Sequence, residues 1–152
     1  MVPALEFRHI EDGMHHALAE FFVDLSEGAD EEFFHPHPLT REHAATIASY
    51  AGMDLYYALT VGKLVIAYGM LRGWDEGFDT PSLGIAVAKR WRGIGIGRAM
   101  ITMLHVAARF NGASRIRLKV HKRNTSAIEL YKALGYKFQD TDGEQLIGFL
   151  TL

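Results

Sequence analysis

The stretch AKRWRGIGIGRAM, residues 88–100, sets glycines at 93, 95 and 97 among Lys89, Arg90, Arg92 and Arg98. It follows directly on a short apolar run, SLGIAV. A strand that enters a glycine-rich turn and then a helix leaves several backbone N–H groups free at the helix N-terminus. Those donors and the helix dipole favour a phosphate. Glycine at alternate positions lets the backbone approach an anion closely and form a nest of N–H groups. The chemistry expected here is diphosphate binding.

Two well-known phosphate loops do not fit. A P-loop requires Gly-Lys-Ser/Thr after its glycines, whereas Gly97 is followed by Arg98 and Ala99. A dinucleotide fingerprint, G-x-G-x-x-G, begun at Gly93 would need its third glycine at Arg98, and begun at Gly95 at Met100. The acid expected about twenty residues later is also missing. What remains is Arg92-x-x-Gly95-x-Gly97 between a strand and a helix. It resembles the R/Q-x-x-G-x-G/A element of the GNAT superfamily of N-acetyltransferases. LGIAV before it looks like that family's fourth strand. NTSAIELYKALGYK looks like the family's N-x-x-A-x-x-x-Y-x-x-x-G-F/Y element, carried by Asn124, Ala127, Tyr131, Gly135 and Tyr136. Together the two elements cover about 55 residues.

The resemblance implies acetyl-CoA as cofactor, with its diphosphate held by Arg92, Gly93, Ile94, Gly95, Ile96, Gly97 and Arg98. Arg98, Lys122 or Arg123 would meet the outer phosphates. It further implies that the pantetheine arm pairs with the backbone along Ile85, Ala86 and Val87, at the N–H and C=O of Ile85 and Val87. An N–H of that strand, that of Val87, would serve as oxyanion donor. Asn124 and Ala127 would complete the cofactor site. By spacing alone Tyr131 is a half-buried helix aromatic between Ile128 and Leu134, and Asn124 an N-cap. The resemblance gives Tyr131 the role of general acid: a phenol near pKa ~10 can protonate a departing thiolate near ~8.5. The chain has no cysteine, which closes an acetyl-cysteine route and leaves direct attack in a ternary complex.

The acceptor side is less constrained. SLGIAV holds no acid to act as base, and the nearest ones, Asp75, Glu76 and Asp79, read first as solvated turn residues. The family sets acceptor specificity in its first two helices and the loop between them. Here that loop contains Phe33, Phe34, His35 and His37, with His43 beyond it, an aromatic and histidine-rich wall. Histidine can act as a base near neutral pH, so His35 and His37 are candidates. Alternation along the third strand adds Tyr68, Arg72 and Trp74 to the substrate side. His-x-His with an intervening proline offers only two weakly placed ligands, so no metal is expected.

These residues need a frame. LEFRHI alternates as a strand. Apolar residues from Met14 to Leu25 recur at helical spacing with Asp12 as cap, and Thr40 caps a second helix. DLYYALTV and LVIAYGMLRGW form a hairpin through Gly62-Lys63. Ile96, Met100, Leu104, Ala107 and Ala108 make one helical stripe that ends at Asn111-Gly112. RIRLKV has one apolar and one basic face. Ser126 and Glu129 suggest a capping box for the helix ending at Gly135, and YKFQD and QLIGFLTL close the chain. The order β-α-α-β-β-β-α-β-α-β-β gives an α/β (α+β) fold, a mixed and mostly antiparallel sheet flanked by helices. One GNAT-type domain over residues 1–152 is expected.

Of 152 residues 49% are hydrophobic, enough for one core. No run of 18 apolar residues exists, so no membrane span is expected, and the lack of cysteine suits a cytoplasmic protein. The net charge of −2 conceals −10 over residues 1–88 and +8 over 89–152. Residues 89–123 carry 10 basic side chains and no acid. Nucleic acid is a weaker partner for that block than a cofactor, because the rest of the chain is acidic. The acidic half favours a cationic or neutral acceptor. The expected function is transfer of an acetyl group to a primary amine of a small molecule: an amino sugar, or a polyamine-like or amino-acid-like acceptor. A non-catalytic acyl-CoA-binding module on the same fold is the alternative, and monomer and homodimer stay open.

Overall fold

The computed structural model describes residues 2–28, 34 and 36–152; Phe33 and His35 of the acceptor wall lie outside them. The elements are β1 (Leu5–His9), α1 (His15–Ser26), α2 (Arg41–Ala48), β2 (Leu55–Val61), β3 (Leu64–Arg72), β4 (Ser82–Val87), α3 (Ile96–Phe110), β5 (Arg115–His121), α4 (Thr125–Ala133), β6 (Lys137–Asp142) and β7 (Gln145–Thr151). This is the expected order. The strands form one sheet, β1-β2-β3-β4-β5-β7-β6, antiparallel at every junction except β4–β5.

Each face of the sheet has its own core. α1 and α2 lie on one face, where Leu18, Phe22, Ala44 and Ile47 pack with Tyr56, Tyr68, Met70 and Ala86. α3 and α4 lie on the other, where Met100, Ile101, Leu104 and Tyr131 pack with Ile66, Leu83, Ile116, Leu118 and Val120. Strand periodicity sorts the side chains between the two: Ile116, Leu118 and Val120 are buried beneath the helices, and Arg115, Arg117 and Lys119 share the opposite face. The predicted stripe of α3 is buried at Ile96, Met100, Leu104 and Ala108, with Ala107 half-buried at its margin.

The Thr40 cap forms, its hydroxyl accepting from His43 N–H at 3.1 Å. Two other caps do not. Asp12 lies within a 3-10 turn, Asp12–Met14, and Met14 stands at the N-cap of α1; Asp12 contributes its carbonyl, which accepts from the backbone N–H of His15. The capping box at Ser126 and Glu129 is absent because α4 starts at Thr125, with Asn124 before it. Ser126 therefore falls inside the first turn and faces a cleft instead.

Candidate active site

β4 and β5 touch at one register, Ser82 opposite Arg117, and then diverge. The divergence exposes backbone. Ala88 N–H bonds Ile66 C=O towards β3, and Pro81 C=O accepts from Arg117 N–H towards β5. Strand alternation thus turns Ile85 and Val87 to the β5 side, where the ladder has ended. A cleft of about 610 Å³ occupies the opening. It is lined by β4 from Leu83 to Val87, by the turn and first residues of α3, and by Asn124, Ser126, Ala127, Leu130 and Tyr131 of the α4 segment. Leu25 and Phe34, from the other layer, line it as well, so the cleft passes through the sheet.

The glycine turn supplies one wall. Gly93 and Gly95 have φ of 80° and 92°, and Gly95 is the left-handed N-cap of α3. No side chain caps this helix. Ala99 N–H bonds Gly95 C=O, whereas among the described residues the N–H groups of 93–98 have no partner. A Cβ at Gly93 or Gly95 would meet nothing within 4 Å, so the side of the turn on which that carbon would sit is open. Free donors, a helix N-terminus and an open approach together fit a diphosphate. Arg98 lines the cleft; Lys122 and Arg123 do not. Ile94 points outward, 69% exposed.

Arg92 differs in part from expectation. Its guanidinium donates through Nε and one Nη to Val87 C=O, at 3.0 and 2.8 Å. The expected pairing of that carbonyl with the pantetheine arm is therefore pre-empted, which leaves Val87 N–H and both groups of Ile85. Asn124 is at the head of α4, but its side chain makes no capping bond and lines the cleft. Lys119, overlooked in the sequence, also lines it; the one-sided basic pattern of RIRLKV was the available signal. Tyr131 is 7% exposed, edge-on to Tyr136 at 5.4 Å between ring centroids. Burial raises its phenol above the ordinary value of 10, which keeps it protonated.

His37 behaves differently from a catalytic base. His37 Nδ1 donates to Pro38 C=O at 2.9 Å, so in the neutral ring Nε2 accepts from Tyr68 Oη, also at 2.9 Å. Burial lowers the ring to about 4, so it is neutral at physiological pH. Both nitrogens are thus occupied, and neither His37 nor Tyr68 lines the cleft; Tyr68 is fully buried beneath Phe22 and Phe34. Arg72 donates to Pro36 C=O at 2.9 Å and lines a separate cavity. Trp74 joins the opposite core, because Gly73 at φ 126° breaks the alternation that linked it to Tyr68 and Arg72. Phe34 alone of the described acceptor candidates reaches the cleft. Among the described residues no three His, Asp or Glu side chains are grouped to hold a metal.

The sequence model of the acetyltransferase (GNAT) family matches residues 12–136. The chain belongs to that family. As a GNAT protein it is an acyltransferase that uses acetyl-CoA. No curated protein matches it in sequence. In fold it is similar to the GNAT domain of PAT from S. lividans, at 19% identity over 97% of this chain and 90% of that one, with a TM-score of 0.83. A GCN5-related N-acetyltransferase from Kribbella flavida is similar at 23% identity, 98% of both chains and a TM-score of 0.81. The PaiA N-acetyltransferase of Thermoplasma acidophilum, solved in complex with coenzyme A, matches at 15% identity over 98% of this chain and 99% of that one, with a TM-score of 0.73. No helix among the described residues is long and apolar enough to cross a membrane.

Proposed function

We propose that this GNAT protein acetylates the primary amine of a small molecule by direct attack within a ternary complex. Acetyl-CoA supplies the activated acyl carbonyl. The N–H groups of residues 93–98, with Arg98, hold the diphosphate. The free backbone groups of Ile85 and Val87 orient the arm, and Val87 N–H is the donor available to a carbonyl oxygen. Asn124 and Ala127 line the arm's other side. Tyr131 holds, at Oη, the proton that the departing sulfur takes as the C–S bond breaks, and the proton lost by the attacking nitrogen as the C–N bond forms restores the phenol. Positioning of this kind supplies up to roughly 7–11 kcal/mol of a bimolecular barrier.

One observation carries the reading: the β4–β5 opening puts unpaired strand donors and a protonated buried tyrosine on a single cleft that pierces the sheet. An amine entering from the Leu25 and Phe34 side meets an acyl group held from the α3 side. The test is acetyl-CoA turnover against a panel of amines, with the protein's mass recorded at steady state. Acetylated amine with no acetylated protein is expected. Acetyl-CoA binding without turnover over the whole panel, or a covalent acetyl-protein, would contradict the reading.

A further inference from the structure

The sheet face beneath α1 and α2 carries a second cavity, of about 530 Å³, at the closed end of the β4–β5 junction. Arg72 of β3, Ser82 of β4, Arg117 of β5 and Phe149 of β7 line it, together with Glu76 and Asp79 of the β3–β4 turn. Both arginines are half-buried. Among the described residues neither forms a salt bridge: the pairs are Arg41 with Glu20 and Lys119 with Asp142. Arg72 is bound to a carbonyl and Arg117 to the Ser82 hydroxyl at 3.4 Å. Asp142, whose carboxylate feels the charge of Arg117, is bonded to Lys119 at 2.6 Å. The buried carboxylate nearby, Asp54, spends Oδ1 on the N–H groups of Gly73, Trp74 and Asp75. Glu76 and Asp79 are exposed, where water screens them.

Two half-buried arginines without a salt bridge, lining one cavity, suit an oxyanion, which an arginine binds through paired hydrogen bonds. The position gives this a meaning for the reaction. On this face β4 presents Ser82, then Gly84 and Ala86; β5 presents Arg117, then Lys119. Ser82 and Arg117 line the cavity, while Gly84, Ala86 and Lys119 line the cleft. The two spaces thus meet within one strand repeat of two residues, roughly 7 Å. From Ser82 to Ile85 the strand spans about 10 Å.

We propose that this cavity is the acceptor's anchoring subsite, and that the acceptor carries a carboxylate or phosphate several bonds from its reactive amine. The proposal rests on the acetyl-transfer reading for its consequence, while the binding is measurable without it. Arg117, with Ser82, grips the anion, and Arg72 adds its charge. The spacing fits an amino-sugar phosphate or an ω-amino acid better than an α-amino acid, whose two groups share a carbon.

The experiment follows backbone amides of the labelled protein by NMR during titration with two matched pairs. These are glucosamine 6-phosphate against glucosamine, and 6-aminohexanoate against 6-aminohexanamide. Each titration is run with and without CoA. The probe that bears the phosphate or carboxylate is expected to shift the amides of Ser82, Arg117 and Phe149, and its partner lacking that group is not. A response to one pair alone identifies the group as phosphate or carboxylate. Arg117→Gln should weaken the anion-bearing probe about tenfold or more, with Arg117→Lys between it and the parent. CoA shifts at residues 93–98 confirm that each variant is folded. Equal shifts from partners with and without the anion, no shift at those three amides with any probe, or unchanged affinity in Arg117→Gln overturns the proposal. If CoA also fails to move residues 93–98 in the parent, the acetyl-transfer reading falls with it.

Discussion

Arg92 folds back over the turn it enters and clasps the carbonyl of Val87 with two hydrogen bonds, at 3.0 and 2.8 Å. The glycine turn is thereby tied to the end of β4, the two elements proposed to hold the diphosphate and to orient the acyl group. Arg92→Lys keeps the positive charge but loses the fork. It should lower stability by about 1 kcal/mol, the worth of a typical hydrogen bond, and weaken CoA by about tenfold. Thermal melting and calorimetric titration with CoA measure the two effects; parent-like affinity would show that the tie does not serve binding.

Tyr131 is held protonated by burial, above the ordinary phenol value of 10. Removal of its hydroxyl in Tyr131→Phe should reduce kcat by about 10²–10⁴-fold, the usual range for a general acid. CoA affinity should stay close to that of the parent. Because burial raises the group, the kcat profile should show no alkaline fall from Tyr131 below pH 10. Parent-like kcat in Tyr131→Phe would remove it from the acid's role.

Gly95 and Gly97 separate conformation from space. Gly95 has φ of 92° with nothing near its missing Cβ, whereas a Cβ at Gly97 would make ordinary contacts of 3.7–3.9 Å with Val87, Ile85 and Leu130. Gly95→Ala should cost roughly 1–2 kcal/mol of stability through left-handed strain. Gly97→Ala should be neutral, or stabilising by up to about 1 kcal/mol. Gly95→Glu adds bulk and negative charge at the proposed diphosphate site and should abolish CoA binding. Denaturant melts and CoA titrations of the three variants decide the matter; micromolar CoA binding by Gly95→Glu would contradict the assignment of the turn.

Two histidines, His37 half-buried and His105 buried, make stability depend on pH. His37, bonded to Tyr68, and His105, whose Nε2 lies 2.8 Å from Tyr136 Oη, are both lowered from 6.5 to about 4 by burial. Between these values the unfolded chain binds more protons than the folded one, so stability falls as pH drops from 6.5 to about 4 and levels off below. Unfolding near pH 5 should take up about two protons through these rings, and about one in His105→Gln. Denaturant melts across pH give the number as a slope. A flat profile would contradict the burial of these rings.

Much of the fold was legible where it depends on neighbours in the chain. The run SLGIAV is β4 itself, Thr40 caps α2, and Gly62-Lys63 joins β2 to β3. The glycine turn and α4 residues, with Ile94 as the exception, line one cleft, a convergence that the family resemblance implied and spacing alone did not. The failures share a cause, which is dependence on distant partners or on a local break in period. Trp74 left its expected face because one glycine interrupts alternation, and the bonds of His37 come from Pro38 and a strand 31 residues away. Charge by halves suggested a cationic or neutral acceptor. Arg72 and Arg117 come from opposite halves and meet only in the folded sheet, so that sum could not register them.

The most direct measurement is a crystal structure of the protein with CoA. The diphosphate is expected within hydrogen-bonding distance of N–H groups in residues 93–98, with the arm along Ile85 and Val87 and its sulfur beside Tyr131 Oη. A nucleotide seated instead among Arg72, Arg117 and Phe149, or a sulfur remote from Tyr131, would contradict the assignment on which the proposed chemistry depends.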